Sequence, residues 1–270
     1  MAEWGYTEFN GPSQWHKMYP EAAGERQSPV NVDTSKVSSD KSLEESPMWW
    51  KYNPVKTETI TNPGYCWRVD VNGDDSELTG GPLHHKYRLE QFHCHWGCGS
   101  SKGSEHTVDG KAYAGELHLV HWNSDKYHTF GEAAGQPDGL AVLGVLLEAG
   151  DEDHPEFEKI VNAIPGIQYR GQKTRLDPIA PSKLLPPQYN YWTYLGSLTT
   201  PPCTESVTWI LFKKTVQLSE RQLKAFRSLK SIEEGTGCSC SPCDERGKVV
   251  NNYRPPLPLG ERDLRECGSF

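Results

Sequence analysis

No apolar stretch in this 270-residue chain reaches membrane-spanning length. The longest, LAVLGVLL at 140–147, is sized for a strand, so a spanning helix is excluded. Basic runs are missing too. Lys and Arg total 28 against 36 Asp and Glu, the net charge is -8 and the pI is near 5.7, so no nucleic-acid partner is expected. No Pro/Gly/Ser-rich linker, low-complexity tract or internal repeat divides the chain, which points to one domain over residues 1–270. The opening MAEWGYTEFNG carries neither the basic region nor the apolar core of a secretory signal. The eight cysteines are therefore expected as free thiols in a reducing cytoplasm. Cys238, Cys240 and Cys243 form a C-x-C-x2-C cluster in a surface loop at 231–248. Such a cluster can hold a soft metal or respond to oxidation, but no second half-site accompanies it, which favours incidental thiols.

What is present is a sheet former's composition. Nine Trp and 12 Tyr supply large apolar bodies, within 35% hydrophobic and 24% charged residues. Residues 1–50 carry turn signals throughout and are expected to wrap the domain as irregular coil, residues 1–20 as an N-terminal arm. Then follow strand-like runs: VKTETI, CWRVDV, YRLEQFHCHW, GELHLVHW, LAVLGVLLEAG and SVTWILFKK. Two segments read as helices. PEFEKIVNAI (155–164) has Pro155 at its first position and Phe157, Ile160, Val161 and Ile164 on one face. SERQLKAFRSL (219–229) opens with a Ser219/Gln222 capping box and turns Leu223, Phe226 and Leu229 inward. Few helices fall between strands, so a doubly wound fold is disfavoured. The expected fold class is β-dominated mixed α/β, a large twisted sheet with peripheral helices.

Three histidines stand out: His93 and His95 in QFHCHWG, and His118 in ELHLVHW. Neutral imidazole is a favoured zinc ligand, and three of them leave a fourth tetrahedral position open. In a strand, residues i and i+2 share a face, so His93 and His95 point one way and Cys94 the other. Glu116, His118 and Val120 share a face in the second run. Gln91 and Glu116 each stand two residues before a histidine, placed to accept its second ring N–H.

Taken together, QFHCHWG, GSEHTVDGKAYAGELHLVHW, PDGLAVLG and YWTYLGSLTTPP resemble the α-class carbonic anhydrases, of the cytosolic type. The similarity runs from WGYTEFNGPSQWHK to NNYRPPLPL. The resemblance implies a single domain around a mostly antiparallel sheet, and zinc-hydroxide-catalysed, reversible hydration of carbon dioxide to bicarbonate and a proton. It implies one Zn2+ on His93, His95 and His118, with Thr199 and Glu105 as an acid–hydroxyl pair. Gln91, Glu116, Asn252, His106 and Tyr194 match positions that support the ligands. Val120, Val142, Leu198, Thr200, Val207 and Trp209 match the substrate pocket. Sulfonamide and anion inhibitors and a monomeric state are expected on the same ground. Catalytically silent relatives on this fold lose a zinc-binding histidine, and this chain keeps all three.

Two features depart from the family pattern. Fast members carry histidine in a segment resembling NNGHAF, whereas this chain reads NPGYCW, with Tyr65 at the relay position. Direct proton release to water from a group of pKa ~7 is limited to about 10^3 per second, and tyrosine, titrating near ~10, is a poor match. Proton shuttling through Tyr65 or buffer is therefore expected to be weak, with His84 and His85 as alternative relays. Pro63, Arg68 and Glu90 also replace residues usual along the cleft. In the second departure, Cys203 sits in TPPC, a position often disulfide-bonded in secreted members, yet positions 20–24 read PEAAG and offer no partner.

Overall fold

The computed structural model describes residues 4–53, 58–71, 75–236 and 247–268. Cys238, Cys240 and Cys243 lie outside the described residues. Among the described residues, a 13-stranded sheet organises the fold. From one edge its path runs through Lys173–Leu176, Glu58–Thr61, Arg68–Asp70, Tyr87–Trp96, Gly115–Asn123 and Leu140–Gly150, all antiparallel neighbours. It continues through Val207–Phe212, Tyr191–Gly196 and Arg265–Cys267 to Ser38–Ser39. The Leu140–Gly150 strand lies parallel to Val207–Phe212, so the sheet is mixed but mostly antiparallel.

Alternation along the strands separates two cores. Ala141, Leu143, Val145 and Leu147 join Phe92, Cys94, Trp96, Leu117 and Leu119 on one face. There Phe157 and Ile160 of the helix Pro155–Ala163 and Leu223 and Phe226 of the helix Glu220–Phe226 cover them. Leu140, Val142 and Leu146 join Val120, Trp122, Val207 and Trp209 on the other. The run LAVLGVLL is apolar throughout because it is buried on both faces.

Both helices form where their signals lie. Ser219 and Gln222 make the reciprocal capping box, and the first helix continues past Ala163 as a 3-10 turn, Ile164–Ile167. The expectation of coil over residues 1–50 needs correction. Asp40 caps a short helix, Lys41–Glu45, by accepting from Ser42 N–H, and Trp49–Lys51 pairs with Glu77–Thr79 at the sheet margin.

One irregularity decides which residues face the site. The pairing of Tyr87–Trp96 with Gly115–Asn123 shifts between Leu89 and Gln91, leaving Glu90 as a bulge. Strict alternation would put Tyr87 and Leu89 on the histidine face. The bulge sends them to the helix-covered core and leaves Gln91, His93 and His95 together on the other face.

Gly144 lies opposite His118 in the neighbouring strand. A Cβ there would meet Leu211 Cδ1 at 2.9 Å and Glu116 Oε1 at 3.4 Å. Gly144→Val should therefore lower stability by about 1–3 kcal/mol through overpacking. Urea unfolding checks this, and an unchanged midpoint would mean the sheet has slack behind Glu116.

Candidate metal centre and active site

Register brings the three histidines together. His93 is the direct partner of His118, and His95 of Glu116. Ring centroids stand 5.1 Å apart for His93–His95, 5.3 Å for His93–His118 and 4.7 Å for His95–His118. One nitrogen from each ring lies within 4.8 Å of the others.

Each ring commits its second nitrogen to an oxygen. His93 Nδ1 meets Gln91 Oε1 at 2.7 Å, His95 Nδ1 meets the Asn252 carbonyl at 2.6 Å, and His118 Nε2 meets Glu116 Oε1 at 2.8 Å. Carbonyl and carboxylate oxygens only accept, so the proton sits on those nitrogens. His93 Nε2, His95 Nε2 and His118 Nδ1 are left with lone pairs. Burial lowers the basicity of all three rings, His95 to about 3, and the mutual proximity of the rings adds to this for His93 and His95. Neutral imidazoles are the state a metal needs.

The residues fit a zinc ion. His95 Nε2 is buried without a hydrogen-bond partner, a cost that a ligand removes. A second grouping, His106, Glu116 and His118, also has metal-ligating side chains within reach. Its nitrogens and carboxylate are already consumed in hydrogen bonds to one another at 2.7 and 2.8 Å.

Glu116 is the hub behind the rings. Its Oε2 accepts the backbone N–H groups of Glu105 and His106 at 2.9 and 2.8 Å, and its Oε1 takes the His106 and His118 rings. Burial opposes its ionisation, but His106 and His118 hold the carboxyl well below the usual range. His106 Nε2 is in turn hydrogen-bonded to Tyr194 Oη at 2.6 Å, and Tyr194 Oη to Ser28 Oγ at 2.8 Å. Asn252 acts twice more, its side chain accepting from Trp96 N–H and donating to the Tyr65 carbonyl.

Glu105 is fully buried, with Oε1 at 3.1 Å from His95 Nε2 and 3.9 Å from His118 Nδ1. Its Oε2 accepts the Arg254 N–H at 2.7 Å, and the Thr199 side chain nearby favours the ionised form of the same carboxyl. Burial and the Glu116 charge push its acidity down, and a cation among the three rings acts in the opposite sense.

The apolar residues meet on neighbouring strands. Val142 pairs with Val120 on one side and Trp209 on the other, and Leu140 pairs with Val207. The Trp209 ring stands 4.9 Å from His118, and half-buried Leu198 packs on the same cluster. Thr200 follows in the loop, its carbonyl accepting from Cys203 N–H. Cys203 is a buried free thiol.

Tyr65 is poorly suited as a relay. Burial pushes its hydroxyl up to about 12 despite the opposing influence of nearby Arg68, and its ring packs 4.6 Å from Trp4. His84 is exposed and His85 stands 3.9 Å from Asp125. They precede the far end of the strand, roughly 25 Å along it from His93, too distant to serve. Ser28 and Arg254 carry hydrogen bonds of the site but have no local spacing signal, since their partners lie 166 and 149 residues away.

Three neutral imidazoles beside a buried acid–hydroxyl pair make the arrangement that water-activating metal enzymes use. Residues 10–268 match the family model for eukaryotic-type carbonic anhydrase. Human carbonic anhydrase 7 (Homo sapiens) is 50% identical over 264 residues, covering 97% of this chain and 96% of that protein. Mouse carbonic anhydrase 7 (Mus musculus) is 48% identical over the same shares, and mouse carbonic anhydrase 1 is 46% identical over 266 residues, 98% of each. The chain belongs to the eukaryotic-type carbonic anhydrases and is a carbonate dehydratase, a lyase.

Two outcomes follow from the hub and its rings. Glu116→Gln puts an amide donor against N–H groups, so zinc affinity should fall about 10–100-fold. Competition with a chelator measures this, and unchanged affinity would remove Glu116 from the support of the ligands. Separately, desolvation holds His93, His95, His118 and His121 below the ordinary imidazole range, His95 at about 3 and His121 at about 4. The unfolded chain takes up their protons first, so the metal-free protein should lose stability as pH falls from about 6.5 toward 4. His95 and His121 each contribute on the order of 1 kcal/mol per pH unit over that range, and the raised Glu105 acts in the opposite sense. A flat urea midpoint between pH 7 and 5 would contradict this.

Proposed function

We propose that the chain hydrates carbon dioxide at a single zinc held by His93 Nε2, His95 Nε2 and His118 Nδ1. The observation that carries this reading is the unpartnered, buried His95 Nε2, turned with the free His118 nitrogen toward Glu105. When bound, zinc supplies a Lewis acid that makes water nucleophilic near neutral pH. Gln91, Asn252 and Glu116 fix which ring nitrogens are free, and His106 and Tyr194 hold Glu116 in place. Glu105 is the acceptor for a hydrogen bond from the Thr199 hydroxyl, which leaves the Thr199 oxygen to accept from the reacting water and to orient its lone pair toward substrate. Carbon dioxide is apolar and is received by Val120, Val142, Leu198, Val207 and Trp209, with Thr200 at the margin. Sulfonamides and small anions are expected to compete there.

The product proton leaves through buffer rather than through Tyr65. At a pKa of about 12, on the order of 10^-5 of the molecules carry the phenolate at pH 7, so Tyr65 cannot take up a proton in each cycle. We further infer a monomeric, cytoplasmic protein of one domain. Cys203 as a free thiol supports the reducing compartment alone.

Stopped-flow hydration of carbon dioxide at rising imidazole concentration tests the reading. Turnover should climb with buffer and vanish on zinc removal or sulfonamide addition. Tyr65→His should raise turnover in weak buffer by about tenfold or more, within what positioned proton transfer contributes. Turnover indifferent to buffer, with no gain from the substitution, would contradict the proton route. Full zinc without hydration would contradict the site.

A further inference from the structure

We propose that the Arg254 side chain is a positioning residue for the metal centre, clamping the segment that aims both His95 and Glu105. The proposal rests on the zinc site described above and adds what holds it in register. Two hydrogen bonds of that site come from backbone groups two residues apart. The Asn252 carbonyl accepts from His95 Nδ1 at 2.6 Å, and the Arg254 N–H donates to Glu105 Oε2 at 2.7 Å. One sets the tautomer of a ligand and the other sets the orientation of the acid.

Residues 251–258 belong to no strand or helix, so sheet pairing does not determine where these two groups point. Side chains do. Asn252 is tied to Trp96 N–H and the Tyr65 carbonyl. Arg254, only 3% exposed, sends its guanidinium the other way, into the N-terminal part of the chain. Nη1 donates to Gln27 Oε1 at 2.8 Å and to the Ser28 carbonyl at 3.0 Å, and Nη2 donates to the Ala22 carbonyl at 2.9 Å. The guanidinium carbon lies 5.6 Å from the Trp15 ring centroid.

These acceptors are all neutral oxygens. Burying a cation among neutral groups is costly, and anchoring alone could be had from apolar packing. What the planar fork provides is direction. It bridges two separate segments, Ala22 and Gln27–Ser28, through fixed N–H vectors that a lysine ammonium cannot reproduce from one atom. The same Ser28 receives Tyr194 Oη, so the N-terminal segment braces both the Glu105 side and the Glu116 side of the cluster.

The test compares Arg254→Met, Arg254→Lys and Gln27→Met with Lys213→Met. Lys213 is a buried cation paired with Glu266 at 2.7 Å beside the C-terminal strand and serves as the reference for stability loss alone. Zinc loss to a chelator should be about 10–100-fold faster in Arg254→Met, with smaller increases in Arg254→Lys and Gln27→Met. In the Arg254→Met background Gln27→Met should add less than it does alone, the remainder coming from the hydrogen bond of Gln27 Nε2 to the Cys203 carbonyl. In loaded enzyme kcat should fall while KM stays near the parent value.

The decisive readout needs no metal. Ring-nitrogen NMR of the metal-free protein should show His95 as a single Nδ1–H tautomer in the parent and in Lys213→Met, and as a mixture in Arg254→Met. It therefore stands or falls separately from the hydration reading. A folded Arg254→Met with parental zinc loss and a single His95 tautomer would overturn the proposal. Should Arg254→Met fail to fold, Arg254→Lys and Gln27→Met decide by the same two readouts.

Discussion

Every imidazole in the cluster gives one nitrogen to an oxygen, and that commitment governs the rest of the site. A histidine ring has two nearly equivalent nitrogens, and a metal centre works only if the correct one is free and aimed inward. Here Gln91 Oε1, the Asn252 carbonyl and Glu116 Oε1 make that choice for His93, His95 and His118. The first and third acceptors travel with their histidines on the same strand face. The second comes from a loop more than 150 residues away, and its placement depends on tertiary packing.

The sheet supplies the precision these bonds require. Two long antiparallel strands in register put His93 against His118 and His95 against Glu116. The strand Leu140–Gly150, buried on both faces over Leu140–Leu147, pairs with the second of them as its next neighbour and carries part of the apolar seat. Burial keeps the rings neutral, and the neighbouring Val120, Val142 and Trp209 provide a surface suited to an apolar substrate. Tyr65 is partly buried, its ring packed 4.6 Å from Trp4 and its hydroxyl pushed up to about 12, which is the ground for proposing buffer as the proton's route.

Much of this was legible in the sequence, for a physical reason: period-two spacing is local. QFHCHWG and ELHLVHW announce the shared faces of His93, His95 and His118 and the flanking acceptors Gln91 and Glu116. The Ser219/Gln222 box and Pro155 likewise announce their helices through contacts within one turn. The bulge at Glu90 was not legible, since alternation read backward from His93 assigns Tyr87 and Leu89 to the wrong face. The strand Tyr191–Gly196, which carries Tyr194, has no clear alternation and reads only as part of a motif. Arg254 and Ser28 leave no trace in spacing, because their partners are distant in the chain.

If the acceptors dictate the ligating nitrogens, long-range nitrogen–proton correlation NMR on the zinc-loaded, isotope-labelled protein will show it. The spectra should place Nδ1–H on His93 and His95 with zinc at Nε2, and Nε2–H on His118 with zinc at Nδ1. The opposite pattern at any of the three rings, or fewer than three metal-shifted imidazoles, would contradict that assignment.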